Sequence, residues 1–546
     1  MATTTVDIVV YGGGFAGVAA AAKAAANTAS NKTIALIVPD PVDHNGNGSC
    51  LGSIGTIGGQ NFFDIRDASV TKGTFNWWRT KLGQHYGVDE MAALLKSDLA
   101  KYGSKIKYYY GYDISSVGWD SRITSLTVKQ IKRNATTGIV EWENVQHTIN
   151  GTVFIDASES GRLTRRANFG GTTGRFDFPA TYLDADEKAN YGKGRQQAAT
   201  LMFKIKGFPI NQYFSDKVID LEVRNHLNSS KVCSATGGKV DYKKKDGKIH
   251  DFNEKYGPKG FAIKPFNMAQ DGPQLDKKAE DTEWWVNALL VFNVDGRAYN
   301  RDKGTYLFPS DMRSDYKTVD DAWVEARDII GSTDFEEAIR EFPYFEKVEI
   351  IKENGKPVVG EVMYLRETIH AALASTNRVN GTENTNYAIT SHETIGAGAS
   401  GSSGGDSQNY ATRIGLNFYW PDINAYKFED LKDHSGNYIW GNDVTKKVRP
   451  DMNITDAFAK NPVYVPYNAI ISNYVANLLT PGYAACMSSF AWAECRVLPN
   501  QCVLGDAAGV AAAYAITHNK DPLRLTASDL SQVQATLRNN GARLEK

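Results

Sequence analysis

The sequence predicts an α/β protein in which a parallel-sheet lobe, assembled from both ends of the chain, is interrupted by an inserted α+β lobe. Three observations carry this expectation. VDIVVYGGGFAGVAAAAKAAA (6–26) reads as strand, glycine turn and small-residue helix, and NQCVLGDAAGVAAAYAI (500–516) repeats that pattern near the other end. Between them, roughly 175–360, the composition shifts to Lys, Asp, Tyr and Phe.

The bulk properties are those of an ordinary globular chain: 546 residues, 42% hydrophobic and 23% charged. Lys plus Arg (61) nearly cancels Asp plus Glu (62). The formal charge of -1 sets up no field that would draw nucleic acid or an anionic membrane, so the expected partner is a small-molecule substrate. No run approaches the roughly 18 consecutive apolar residues of a membrane span. The first strand begins by residue 6, which leaves no room for a signal peptide. The expectation is a cytoplasmic protein with no membrane partner, secreted only if a leader has been removed. Five cysteines with no CxxC pair suggest neither a disulfide framework nor a zinc site. The Asn-X-Ser/Thr triplets at Asn134, Asn150 and Asn453 are read as chance.

The opening βαβ unit runs from 6 to 38. Gly12, Gly14 and Gly17 hold the GxGxxG positions: the first permits the turn, the second lets backbone approach a pyrophosphate, the third lets helix and strand pack closely. Phe15 and Ala16 open the helix, whose N-terminus faces the anion. This is a Rossmann-like signature. The second strand, TIALIVPD (33–40), should end in a carboxylate for an adenosine ribose, and that slot holds Val38. Either Asp40, past Pro39, reaches back, or backbone groups of the 40–59 loop serve. Losing one charge-assisted bond costs about 1.5–3 kcal/mol, which a dinucleotide anchored at both ends tolerates better than an exchangeable NAD.

GNGSCLGSIGTIGG (46–59) is a glycine-dense loop suited to lie along an extended ligand, and it ends in Gly59, Gln60 and Asn61. Residues 84–112 read as an amphipathic helix followed by the strand IKYYYGY. Residues 123–156 read as hairpin material ending in the strand before Ala157 and Gly161. In the inserted lobe WWVNALLVFNV (284–294) predicts a strand, VDDAWVEARDII and FEEAIREF predict helices, and KVDYKKKDGKIHD (239–251) a solvated hairpin tip. Near the end, an apolar strand is expected before Gly505, Asp506, Ala508 and Gly509, then a helix whose N-terminus faces an anion or a flavin carbonyl. GAGASG (396–401) also fits GxGxxG, but no strand precedes it and no helix follows, so a second dinucleotide site is rejected.

Five blocks occur in one order: YGGGFAGVAAA, GGQNFFD, VFIDASESGRLTRRA (153–167), VMYLRETIHAA (362–372) and the long block from Val465 to Ala515. In this the chain resembles the FAD-dependent oxidoreductase family distantly related to fumarate reductase flavoproteins. The resemblance is weakest in the middle lobe. It implies a Rossmann-like FAD-binding domain with an inserted α+β substrate/cap domain, divided as 1–170, 171–455 and 456–546. It also implies FAD stretched from Gly12–Gly17 at the pyrophosphate to Gly505–Gly509 at the ribityl chain and ring. The family commonly has Gln where Asp506 stands.

Flavin oxidation needs a base, and dipolar or positive groups near the ring. By resemblance Arg366 lies near the flavin and binds an anionic or polyhydroxylated substrate that Glu367 orients, unless the two form a buried structural pair. His370 would share the face of Arg366 if the segment is helical. His392 is a candidate base, since Asp406, Ser407 and Gln408 stand where the family has Asp-Ser-His. Arg496 faces ring or substrate, or forms an ion pair. Gln60 and Asn61 donate to the flavin or stabilise a turn. Trp77-Trp78 and Trp284-Trp285 are pocket or core, and Cys486, Cys495 and Cys502 pack as small apolar residues.

The expected activity is FAD-dependent dehydrogenation of a small polar substrate at a CH-OH or CH-CH centre, with electrons passed to oxygen or an external acceptor. The alternatives are a monooxygenase or halogenase fed by a separate reductase, although the GWxWxIP halogenase motif is absent, and a flavoprotein whose FAD is structural or regulatory. A homo-oligomer is compatible with either.

Overall fold

The computed structural model describes residues 2–41, 50–167, 170–189, 193–209, 218–226, 230–274, 277–373, 386–399, 404–452, 460–471 and 474–546. Residues 46–49 of the first glycine loop, Asn453, and residues 400–401 of GAGASG lie outside them.

Ile8–Tyr11 and Ile34–Val38 are buried at every position, as continuous apolar runs must be in a parallel sheet covered on both faces. They form the centre of a five-stranded sheet in the order 478–479, 153–156, 8–11, 34–38, 106–110, with every pairing parallel. The pleat sorts the side chains by parity. Ile8, Val10, Leu36 and Val38 join the main core with the helices, whereas Val9, Tyr11, Ala35 and Ile37 pack on Ile114, Leu126, Val128 and Ile149 of a second sheet. That sheet is an antiparallel meander of Tyr112–Asp120, Arg122–Arg133 and Val140–Asn150, extended by Ala2–Thr5.

The helical face is built from Phe15–Asn27 and Leu498–Thr517. Here the structure corrects the sequence reading. Residues 500–504 are not a strand: one helix runs unbroken from Leu498, with Pro499 in its first turn, through Gly505, Asp506, Ala508 and Gly509 to Thr517. The two glycines, four apart and therefore on one face, are packing positions. A Cβ on Gly505 would lie 2.2 Å from the Ala16 carbonyl oxygen, and one on Gly509 would lie 2.4 Å from that of Ala20. The helices thus meet backbone to backbone, and the alanine-rich composition of both segments is what permits it.

The middle of the chain forms a seven-stranded antiparallel sheet from strands between Ala199 and Ile350, centred on Phe261–Gln270 and Trp284–Val291. Helices Lys248–Tyr256 and Thr333–Ile339 pack on it through Phe252 and Phe335, which meets Phe203 edge-on. The lysine-rich 239–251 stretch is not a hairpin tip. Gly238 and Gly247 start two helices, Lys239–Tyr242 and Lys248–Tyr256, and buried Tyr242 and Ile249 anchor them. Among the described residues no helix is long and apolar enough to cross a membrane.

Candidate active site

Two cavities flank the extended segment Val362–Arg366. The first begins at the glycine turn and is lined by Gly12, Gly14, Asp40, Ser53, Ala157, Glu159 and Arg301. Gly12 holds φ +118°, and a Cβ there would strike the Ala157 carbonyl carbon at 2.6 Å. A Cβ on Gly14 would meet only Ser53, at 3.8 Å, so this is the position of the fingerprint open to a ligand. Gly14 is also the N-cap of the opening helix, where no side chain caps the first turn and none in that turn is acidic. Phe15 is held edge-on by Phe63 and Trp78, and Ala16 and Gly17 are buried beneath the turn.

At the end of the second strand the carboxylate slot holds Val38, and the nearest carboxylate, Asp40, stands two residues further on. Val38 packs its Cγ1 into the space below Gly13, 2.3 Å from where a Cβ would stand. Asp40 lines the cavity; one oxygen accepts from the Ser53 hydroxyl at 3.3 Å and the other has no partner among the described residues. Burial, moderated by that hydrogen bond and reinforced by the Asp113 charge, pushes Asp40 up to about 7. Nearby Glu159 is also pushed up, by burial and by the Asp40 charge. Opposite stand Arg301, ion-paired to Asp113, and Tyr299. Ala157 donates its N–H to the Tyr11 carbonyl at 2.8 Å, and Gly161, in the left-handed region, donates to the Ser158 hydroxyl at 3.1 Å. An open helix N-terminus, an orphaned buried carboxylate oxygen and an adjoining cation fit the pyrophosphate and ribose of FAD.

Gly505–Gly509 does not reach this cavity. Asp506 accepts from the Thr74 N–H at 2.9 Å and from its hydroxyl, which ties the long helix to the 74–82 helix. The residue that does meet the turn from the C-terminal segment is Gly482, where a Cβ would be 2.6 Å from the Ala157 carbonyl carbon. Its signal in the sequence was the Pro-Gly after LLT, read only as part of a block.

The second cavity is an open cleft lined by Gln60, Asp64, Lys264, Asn287, Tyr364, Arg366, Tyr419, Trp420, Asp422, Asn424, Trp440 and Arg496. Val362, Met363 and Leu365 line the first cavity, and Tyr364 and Arg366 the second. Arg496 donates to the Tyr364 hydroxyl at 2.8 Å and to Asp422 at 2.6 Å. Arg366 anchors one terminal nitrogen on the Ala198 carbonyl (2.8 Å) and the Thr200 hydroxyl (2.6 Å), and its Nε has no partner among the described residues. Burial and the Arg496 charge lower Arg366 to about 10.

Lys264 and Asp64, which the sequence reading passed over, complete the cleft. Lys264 is 4% exposed and donates to the Asn287 carbonyl at 2.9 Å and the Pro265 carbonyl at 3.3 Å. Burial and the Arg366 charge, opposed by Asp422 and Asp64, push it down to about 7. Burial and Asp422 push Asp64 up to about 6 against the pull of Arg496, Arg366 and Lys264. A lysine inside a strand gives no local signal; only the tertiary arrangement turns it inward.

The remaining candidates fall elsewhere. The RET segment is extended, not helical, and His370 belongs to the strand Ile369–Ala371. It does not join Arg366 in lining the cleft. Its Nε2 lies 2.8 Å from Glu367, which also accepts from the Gln197 N–H and the Ser489 hydroxyl, all within the buried core. Neither Glu367 nor His370 lines the cleft. His392 is exposed on the short helix Ser391–Ile395, and Asp406 is fixed by Lys546 at 2.7 Å and the Tyr464 N–H at 2.9 Å. Asn61 donates to three main-chain carbonyls, a structural task, whereas Gln60 lines the cleft and Gly59 abuts Trp285. Trp78, Trp284 and Trp285 are core; Trp420 and Trp440 supply the cleft's indoles. Burial raises the thiols of Cys486, Cys495 and Cys502, which keeps them protonated.

Residues 7–537 match the family model described as FAD dependent oxidoreductase. No curated protein matches the sequence. Among solved structures, a geranylgeranyl bacteriochlorophyll reductase-like protein from Thermoplasma acidophilum aligns over 99% of this chain and 85% of its own, at 11% identity and a TM-score of 0.35. The myxobacterial chondrochloren halogenase CndH aligns over 69% and 67%, at 11% identity and 0.30. The flavin-dependent monooxygenase PieE aligns over 68% and 52%, also at 11% and 0.30. All three likenesses are distant.

Proposed function

This chain belongs to the FAD dependent oxidoreductase family, and on that footing we propose that it oxidises a small polar molecule held in the cleft at a CH-OH or CH-CH centre. The observation that carries this reading is the single segment Val362–Arg366, whose side chains line both the cavity at the glycine turn and an open polar cleft. Gly12, Gly14, Phe15, Ala16, Asp40, Ala157 and Arg301 would hold the cofactor. Bound FAD supplies the two-electron acceptor, re-oxidised by oxygen or an external acceptor.

The chain's own part is binding, orientation and proton transfer. Lys264, as a neutral amine, donates its two hydrogens to the carbonyls of Asn287 and Pro265 and keeps its lone pair for a substrate hydroxyl. Arg366 and Arg496 set the cleft's positive potential, and Gln60, Asn287 and Asn424 offer amides for hydroxyl recognition. The division into 1–170, 171–455 and 456–546 is proposed on the same basis. The parallel sheet takes strands from the first and last segments, and the antiparallel sheet is made wholly from the middle one.

Anaerobic mixing of the holoenzyme with polyols and hydroxy acids tests the reading. Bleaching of the yellow flavin band is expected; if the band bleaches only with supplied reductant and the substrate is then attacked on re-oxygenation, the enzyme is a monooxygenase or halogenase and the proposal fails.

A further inference from the structure

Away from both cavities, the short helix Arg162–Arg166, the strand Gly171–Thr173 and the loop of residues 305–311 line a further open cavity that shares no lining residue with the other two. Arg165, Arg166 and Arg297 line it, and their charges are not equally met. Asp295 accepts from Nε and one terminal nitrogen of Arg297 at 2.9 and 2.7 Å, and both oxygens of Asp311 accept from the other at 3.0 and 2.9 Å. The one carboxylate that lines the cavity, Asp311, is thereby taken up by Arg297. Arg162, on the same short helix, is paired with Asp302. Arg165 and Arg166 have no carboxylate partner among the described residues.

The Nε atoms of Arg165 and Arg166 are shut from solvent and offer nothing to a ligand. Arg165 donates one terminal nitrogen to the Arg297 carbonyl at 3.1 Å. Its other terminal nitrogen and both of those on Arg166 make no hydrogen bond among the described residues and are not shut from solvent, so these are the donors that open on the cavity. The Arg166 guanidinium lies 5.1 Å from the ring of Tyr306, a contact that steadies it without neutralising its charge. Burial and the charges of Arg297, Arg162 and Arg166, against the pull of Asp295, push Arg165 down to about 9. A partly buried cation crowded by other cations is stabilised by an anion brought to it.

We propose that this cavity is a binding site for a phosphate group, with the open terminal nitrogens of Arg165 and Arg166 as its donors and the exposed hydroxyl of Ser310 as a third. Two guanidiniums reach the cavity from separate side chains. A tetrahedral phosphate accepts from both at once, whereas a planar carboxylate is matched by the fork of one. The inference goes beyond the oxidoreductase reading and does not depend on it, since the site has no residue in common with the cofactor cavity or the cleft.

The test uses the FAD-loaded protein, in which the glycine turn is already occupied, and follows calorimetric heat at an ionic strength of about 0.15 M, where loose surface attraction is screened. The probes are inorganic phosphate, phenyl phosphate and, as the planar control, acetate. At least one phosphate probe is expected to saturate at one per chain with a Kd below about 1 mM, and acetate to bind roughly tenfold more weakly or worse. Tighter binding of phenyl phosphate would identify the source as a phosphorylated molecule, and binding of inorganic phosphate alone would identify the free anion. R166Q should weaken the phosphate probe by roughly tenfold or more at unchanged FAD content. K243Q, which removes the same charge from an exposed position elsewhere, should leave it unaltered. No saturable heat, equal binding of acetate, or an unaltered affinity in R166Q overturns the proposal, as does phosphate binding that the apoprotein shows and the FAD-loaded protein lacks. If R166Q does not fold, crystals of the parent protein soaked in tungstate decide: a peak within hydrogen-bond reach of Arg165 and Arg166 supports the site, and peaks only elsewhere overturn it.

Discussion

Met363 and Tyr364 are neighbours in the chain and line different cavities, the first facing the dinucleotide site and the second the cleft. One short stretch of chain therefore separates the two cavities. Substitutions along it should separate by the cavity each residue lines: Met363→Trp is expected to reduce FAD affinity, and Tyr364→Phe to leave FAD affinity unchanged while disturbing Arg496, to which the hydroxyl is bonded. Fluorescence titration with FAD would read the first, and substrate KM the second.

Lys264 acts as a base only when neutral, so the rate of anaerobic flavin bleaching should rise with pH through about 7. Lys264→Met should flatten that rise and slow bleaching by roughly 10²–10⁴-fold, the usual worth of general base catalysis. An unaltered pH profile in the Lys264→Met variant would remove Lys264 from the proton path.

Asp40 makes two opposed contributions. Its carboxyl in the folded apoprotein is raised from the ordinary value of 3.8 to about 7, so the folded form binds more protons than the unfolded one between those values. Stability then falls as pH rises through that window. Asp40→Asn should raise the melting temperature of the apoprotein at pH 8 relative to the parent, with the difference vanishing near pH 3. The same substitution should weaken FAD by about 1.5–3 kcal/mol, the worth of a charge-assisted hydrogen bond.

Two glycines should respond in opposite ways to alanine. Gly505→Ala places a methyl 2.2 Å from the Ala16 carbonyl oxygen and should destabilise the fold by about 1–3 kcal/mol through overpacking. Gly14→Ala has its nearest neighbour at 3.8 Å and a φ of -67° that alanine accepts. It should melt like the parent and bind FAD more weakly. Denaturation curves and FAD titration together decide both.

His370→Ala removes one of the three buried partners of Glu367, the contact at 2.8 Å, and should cost about 1–3 kcal/mol of stability, with the turnover of the folded fraction retained. Exposed His392→Ala should change stability by less than about 0.5 kcal/mol and leave turnover unaltered. A large loss of turnover in the His392 variant at full stability would restore it as the base.

The sequence by itself determined the elements whose patterns are local. The opening strand, turn and helix, the helix of residues 88–100 and the meander carry their periodicity in contiguous residues, and Val38 already showed that the usual carboxylate slot at the end of the second strand is apolar. Gly505 and Gly509 were misread because glycine marks a turn and a close helix contact alike, and only the partner helix at Ala16 and Ala20 distinguishes them. The helix on which His370 would have followed Arg366 does not form, since His370 belongs to the strand Ile369–Ala371. The cleft was decided by tertiary structure alone: Asp64, Lys264, Arg366, Asp422 and Arg496 lie far apart along the chain, and their shifted charges arise from mutual proximity and lost solvent. Burial and pairwise electrostatics belong to a folded arrangement, so no stretch of sequence can display them in advance.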